Sequence, residues 1–392
     1  MRPLTQLILT IVAIVVAVCA GLFLGGHPKY LPQEFRDLFV EDDRAVRAEI
    51  IDSIEDGFYK DVDEDDLNQA SYKGIVRSLH DRFSHYLTPE EADLFNESVS
   101  GRFEGVGMTV REHPRGLLVA SVFEGSPAEK AGIRKDDVIT RVNGESIAGE
   151  PTDVSTAKIK GKPGTSVRLT VLAGGNKNKK RTVEVERASI EVPIVESDIV
   201  KQQGTKLAKL RLLSFTDGVH GRLSQEVDKA LDKGAEGILL DLRGNGGGLL
   251  REAVLVSSIF IDDGTIVSTK GRNRPERVYK AEGDAIDEDV PIVVLVDGGS
   301  ASASEIVAGA MRDSHRATLA GERTFGKGVF QELEPLSNGG ALDLTVGSYY
   351  LPSGENISKT GIKPEVKARD KPRTMKDEAL PVALDTLVEK TE

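Results

Sequence analysis

The sequence predicts an α/β protein of several domains: a helical N-terminal region, a β-rich middle segment and an α/β layered domain after it. Three observations carry this expectation. Apolar residues recur at helical spacing between residues 33 and 98. Short alternating strands broken by glycine turns occupy residues 99–188. From about 190 to 370, buried-strand and helix signals alternate, as in a sheet layered with helices. At roughly 100–200 residues per domain, 392 residues allow two or three such units. A hydrophobic share of 39% against 29% charged residues excludes wholesale disorder.

The N-terminus sets the compartment. Arg2 precedes Leu7–Gly26, 20 residues without a charge. As a helix they span about 30 Å, one hydrocarbon core. Val18-Cys19-Ala20 matches a cleavage site only weakly, so residues 1–27 are expected to be an uncleaved transmembrane anchor with Arg2 inside. A cleaved signal giving a secreted or periplasmic protein is the alternative. In both cases the chain after about His27 lies outside the cytoplasm, in the cell envelope, where no ATP is available.

Charge and composition remove several function classes. With 51 basic and 63 acidic side chains the net charge is −12, unsuited to nucleic acid. The one basic cluster, Lys177-Asn178-Lys179-Lys180-Arg181, follows Gly174-Gly175 and reads as a hairpin tip. Cys19 is the only cysteine, which excludes an internal disulfide, a cysteine zinc site and a Cys–His nucleophile pair. No metal and no cofactor is expected.

In the helical region, Val46, Ile50, Ile54 and Phe58 form one stripe and Leu67, Ser71, Ile75 and Leu79 a second. The acids from Asp61 to Asp66 read as a solvated connection. The helices suit a stalk, a dimerisation arm or a packing layer, so a homo-oligomer through them is a possible partner arrangement. In the middle segment, Ser126-Pro127 opens and Gly132 closes one short helix. Val138–Val142 runs into the Asn143-Gly144 turn, and Val167, Leu169 and Val171 face Val183 and Val185 across a hairpin. The stretch GSPAEKAGIRKDDVITRVNGESI resembles the centre of a PDZ domain, and Gly101–Met108 (GRFEGVGM) resembles its carboxylate-binding loop. Glycines there let backbone N–H groups converge on a peptide's terminal carboxylate while the peptide adds as a strand. The resemblance implies tail binding by Gly105, Val106, Gly107 and Met108.

Farther on, Leu207–Leu213, Gly237–Leu242 and Ile292–Val296 read as strands. Leu223, Val227, Ala230 and Leu231 mark a helix, and further helices are expected from about Leu249 to Phe260 and Ser302 to Arg312. Leu380–Val388 suits a short docking helix in the C-terminal tail. None of the six histidines has metal-ligand spacing or a glycine-flanked serine beside it. Gly321–Lys327 fits the core of a P-loop, but Gly328 stands where the Mg²⁺-binding hydroxyl belongs and a strand follows instead of a helix.

The serine cluster Ser300-Ala301-Ser302-Ala303-Ser304-Glu305 follows a strand and opens a helix. Its unpaired N–H groups suit an oxyanion, although Ser302 and Glu305 also fit an ordinary capping box. Asp241–Gly248 (DLRGNGGG) supplies further convergent amides, and TFGKG a lysine between glycines. Together with SLHDRFSHYLTPEE and GIKPEV, these segments resemble the carboxyl-terminal processing peptidases, or tail-specific proteases, over almost the whole chain.

That resemblance implies a serine endopeptidase with a core of the crotonase/tail-specific-protease kind. It would cut proteins near their C-termini, with protein or peptide tails as substrates. Carried over residue by residue, Ser302 is the nucleophile, Lys327 the general base and Gln331 its assistant. The oxyanion donors are Ala303 and a glycine, Gly248 or failing that Gly247. A free lysine titrates near about 10.4, so the base must be neutralised by burial, and Phe325, Val329 and Phe330 are expected to surround it. The implied divisions are 1–27, 28–98, 99–188 (PDZ), 189–370 (peptidase core) and 371–392. A non-catalytic PDZ scaffold or a tail-binding chaperone of the cell envelope is the competing reading.

Overall fold

The computed structural model describes residues 13, 14, 16, 17, 42–176, 179–192, 194–370 and 376–391. The apolar run Leu7–Gly26 falls almost wholly outside them. Among the described residues no helix is long and apolar enough to cross a membrane. Lys177 and Asn178, at the basic hairpin tip, also lie outside.

The described residues up to Thr88 form one compact unit and those from Pro89 onward another. In the first, helices α1 (Asp42–Gly57) and α2 (Glu64–Arg77) precede a short strand, β1 (His85–Leu87). Asp63, inside the acidic string, is the N-cap of α2: its Oδ1 accepts the N–H of Asp65 at 2.8 Å. Val46, Ile50 and Phe58 of the expected stripe, and Ile75 and Leu79 of the second, are more than half exposed.

The larger unit starts with α3 (Pro89–Ser100) and strand β2 (Arg102–Gly105). A β-rich module follows: β3 (Met108–His113), β4 (Gly116–Val122), α4 (Pro127–Lys130), β5 (Val138–Val142), β6 (Glu145–Ser146), α5 (Thr152–Ile159), β7 (Ser166–Leu172) and β8 (Lys180–Glu186). Its sheet runs β3-β4-β5-β7-β8, leaving β3 on an edge, and closes over Leu117, Val119, Ile139, Leu169 and Val185. Strand β9 (Ala188–Glu191) leaves the module antiparallel to β2. Entry and exit therefore share one two-stranded ribbon.

The remaining elements are β10 (Val195–Gln202), β11 (Thr205–Leu212), α6 (Val219–Asp232), β12 (Gly237–Asp241), α7 (Leu250–Ser258), β13 (Thr265–Gly271), β14 (Arg274–Lys280), β15 (Ile292–Val296), α8 (Ala303–Asp313), β16 (Thr318–Gly321), β17 (Val329–Pro335), β18 (Ala341–Tyr350), β19 (Val366–Lys367) and α9 (Ala379–Val388). The central sheet is ordered β10-β11-β12-β15-β16-β19, parallel from β11 onward. β12 and β15 are buried at every position, which explains their unbroken Gly-Ile-Leu-Leu-Asp and Ile-Val-Val-Leu-Val runs. Helices α6, α7 and α8 bury Leu223, Val256 and Val307 against one face. The tail helix α9 covers the other with Ala383, Leu384 and Leu387. Strands β17 and β18 pair antiparallel, with β13 and β14 beyond them.

Candidate active site

Parallel pairing decides where the three motif loops meet. β12, β15 and β16 are adjacent, with Asp241 opposite Leu295 and Val296 opposite Gly321. Their C-terminal ends therefore release residues 242–249, 297–302 and 322–328 side by side, the usual place for a site in such a sheet.

Buried polar side chains stitch these loops together. The Asn245 amide donates to the Leu212 carbonyl at 2.8 Å and its oxygen accepts the Gly247 N–H at 2.9 Å. Its carbonyl accepts the Ala301 N–H at 3.0 Å and the Ser304 hydroxyl at 2.8 Å. Asp297 Oδ1 accepts the N–H groups of Gly244 and Gly299, both at 2.9 Å. Arg243 anchors the first loop from below: it meets Asp241, Asp370 and Asp377 at 2.7, 3.2 and 2.8 Å.

Ser302 is the N-cap of α8 with φ 56° and ψ −114°, a strained backbone for a side chain of its kind. Such a strand-to-helix corner pushes a serine hydroxyl out of the chain, the geometry of a nucleophile elbow. The anticipated capping pair with Glu305 is present, and the Ser302 N–H donates to Glu305 Oε2 at 3.0 Å. Capping and exposure of the serine are compatible here, because the carboxylate engages its main chain.

Two amides flank this corner. The Ala303 N–H heads the helix without an intrahelical acceptor. In the glycine loop, the Gly247 N–H is taken by Asn245, whereas no hydrogen bond from the Gly248 N–H occurs among the described residues. Gly247 is the residue that approaches the serine. A Cβ on it would lie 2.8 Å from Ser302 Cβ and 3.0 Å from the Ala303 nitrogen, and its φ is +104°. Gly248 rests instead on the backbone of Phe215, where the Phe215 carbonyl accepts the Leu249 N–H at 2.8 Å.

Lys327 is half-buried between Gly326 and Gly328. Gly328 (φ +55°) leaves room for Ser358: a Cβ would fall 2.4 Å from its hydroxyl. The Lys327 N–H donates to Glu305 Oε2 at 3.0 Å, and the Phe325 N–H to the Ser300 carbonyl at 3.0 Å. The lysine loop is thus tied to the serine loop twice. One expectation fails here. Phe325 is 44% exposed, so the closed apolar wall expected around the lysine is incomplete on its side. Gln331 lies on β17 opposite Thr345, and its amide donates to the Thr345 hydroxyl at 3.2 Å.

Glu305 escaped the sequence reading as anything beyond a helix cap. Every residue of α8 from Ala303 to Met311 is buried. A carboxylate inside so dry a helix was the available signal, since buried charges need partners. Asn245, between glycines, and Asp297, before a glycine pair, carried no comparable mark.

The proposed carboxylate loop lies in the β-rich module. The Gly107 carbonyl accepts the Phe123 N–H at 3.0 Å and the Val106 carbonyl accepts the Ala128 N–H at 2.8 Å. The carbonyls thereby face inward. A groove of about 550 Å³ runs between Val106–Val110 and Thr152, Thr156 and Ile159 of α5. It also reaches Ser214 and Thr216, which flank the residue that holds Gly247 and Leu249. Glu97 of α3 and Lys160 form an ion pair at its rim.

Comparison with known proteins agrees with this geometry. Residues 206–368 match the peptidase family S41 and residues 105–186 match a PDZ domain. The carboxy-terminal processing protease CtpA of Bacillus subtilis is 37% identical over 369 residues, 94% of this chain and 78% of that protein. The chain belongs to peptidase family S41. It is a serine-type peptidase of mixed α/β fold with a PDZ domain. A probable CtpA-like serine protease of Staphylococcus aureus (strain COL) is 40% identical over 311 residues, 79% of this chain and 61% of that protein. Among solved structures, the photosystem II D1 C-terminal processing protease superposes with a TM-score of 0.50 at 28% identity. That match covers 88% of this chain and 97% of the other.

Proposed function

We propose that this S41 peptidase cleaves proteins near their C-termini, with Ser302 as nucleophile, Lys327 as general base and Gln331 orienting the lysine. The carrying observation is the convergence of three loops at the strained Ser302 corner. A neutral Lys327 amine takes the Ser302 proton as the hydroxyl attacks the scissile carbonyl. The amides of Ala303 and Gly248 receive the oxyanion, while Gly247 provides the close approach. The protonated lysine then hands its proton to the leaving amine. A water, deprotonated in turn by Lys327, releases the acyl group from Ser302.

Substrate choice falls to the PDZ domain in this reading. Gly105, Val106, Gly107 and Met108 hold the terminal carboxylate, and the tail adds along the open edge of β3. The groove walls, Val106, Met108, Val110 and Ile159, favour an apolar last residue. The same reading divides the chain into a membrane-directed segment (1–27), a helical region (28–98), the PDZ domain (99–188), the peptidase core (189–370) and a tail (371–392). It places catalysis outside the cytoplasm, anchored through Leu7–Gly26. The exposed apolar side chains of α1 and α2 suit self-association.

The test is incubation of the protein with an unstructured polypeptide ending in a free apolar residue, beside Ser302→Ala and Lys327→Ala. Cleavage by the parent alone supports the assignment. Undiminished cleavage by either variant removes that residue from it.

A further inference from the structure

We infer that Glu305 is the positioning residue of this peptidase: its ionised carboxylate holds the nucleophile corner and the lysine loop in one register. The inference builds on Ser302–Lys327 catalysis as proposed above and adds the group that aligns the two.

Glu305 is completely buried. Its Oε2 accepts the N–H groups of Ser302 and Lys327, each at 3.0 Å. Its Oε1 accepts the Thr324 hydroxyl at 2.6 Å and the Gly326 N–H at 2.7 Å. The Thr324 hydroxyl also accepts the Ile362 N–H at 2.7 Å, so its own proton is committed to Glu305. All four partners are donors. A carboxylate, which only accepts, matches them; a protonated acid or an amide would set a donor against a donor. Tyr349 lies on the same carboxylate, and its phenol is pushed well above its ordinary range by burial and then by the Glu305 charge.

The consequence is geometric. Ser302 sits at the end of the β15 loop and Lys327 in the loop after β16, and proton transfer needs their side chains held within a fraction of an ångström of reacting distance. Their main-chain N–H groups end on the same oxygen atom, so displacing that atom displaces both. A misplacement of about 1 Å can cost about a hundredfold in rate. Substrate capture at Gly105–Met108 does not pass through Glu305.

The experiment measures kcat and KM of the full-length protein on a fluorogenic peptide with a free apolar C-terminus, per molecule folded by circular dichroism. Glu305→Gln keeps the size of the side chain but sets its NH2 against two donors. The expected result is a kcat lowered about a hundredfold per folded molecule with KM within about twofold of the parent. Thr324→Val removes one donor and leaves the carboxylate in place, with kcat lowered about tenfold; it decides the matter if Glu305→Gln does not fold. Parental kcat in folded Glu305→Gln, or in Thr324→Val where only that variant folds, overturns the inference. So does a loss confined to KM. Ser302→Ala separates the two levels. If it retains turnover, the catalytic assignment fails and the inference with it. If it is inactive while Glu305→Gln is unimpaired, only the positioning role fails.

Discussion

The main-chain N–H groups of Ser302 and Lys327 donate to a single carboxylate oxygen, each at 3.0 Å, although 25 positions separate them in sequence. Neighbouring parallel strands deliver both loops to the same end of the sheet. The proposed catalytic pair is therefore aligned through its backbone.

In the proposed mechanism Gln331 works through its side-chain amide, which donates to Thr345 on the neighbouring strand. Replacing it with alanine is expected to lower kcat about tenfold with little change in KM, the range of one lost orienting group. Thr345→Val should move kcat the same way by less. Steady-state kinetics on one peptide with both variants checks the order.

The glycine loop offers a sharper steric comparison. Gly247→Ala would drive a methyl group to 2.8 Å from Ser302 Cβ and from the Ala301 carbonyl oxygen at a backbone angle only glycine readily adopts. Activity should fall by two orders of magnitude or more. At Gly246, nothing lies within 4 Å of such a methyl and φ is not positive. Gly246→Ala should stay within about twofold of the parent.

The PDZ loop should govern capture more than turnover. A methyl on Gly107 would sit 2.3 Å from Ser126 Cβ, so Gly107→Ala must move the cradle. KM for a free-acid peptide is expected to rise at least about tenfold with kcat nearly kept. The parent should likewise bind the C-terminally amidated peptide more weakly, and Gly107→Ala should discriminate less between the two forms. Peptide titrations with both forms test this.

Acid stability should report the Arg243 cluster. Hydrogen bonds from Arg243 hold Asp377 below the usual carboxylate range, against an opposing effect of partial burial. Its stabilisation is complete above about pH 3.9, where an unfolded aspartate ionises, and fades as the pH falls through the lower folded-state value. Asp377 is 42% exposed, so solvent screening limits the effect at neutral pH to about 1 kcal/mol or less. Asp377→Asn should therefore be slightly less stable than the parent at neutral pH, and the gap should close in acid. Denaturant titrations at several pH values measure it.

The elements most legible in the sequence were those with local signatures. Ile292–Val296 is a strand over the expected residues, and Ser126-Pro127 starts a helix where its cap demands. The strand after Lys327, which argued against a P-loop, is β17. The Ser302–Glu305 capping pair was visible too, but its reach was not. That Glu305 also meets Thr324, Gly326 and Lys327 depends on β16 lying beside β15, a pairing no local pattern encodes. Long-range register likewise hid the Arg243–Asp377 contact across 134 positions. The exposed Phe325 misled for the opposite reason: its apolar character suggested burial, yet the residue is 44% exposed.

Proton acceptance by Lys327 is most directly tested by the rate at which a serine-directed phosphonate modifies the protein at pH 8, with the adduct located by mass spectrometry. The parent should carry the adduct on Ser302, and Lys327→Met, folded by circular dichroism, should react at least about a hundredfold more slowly. Modification of Ser302 at the same rate in both proteins, or an adduct on another residue, would contradict the account.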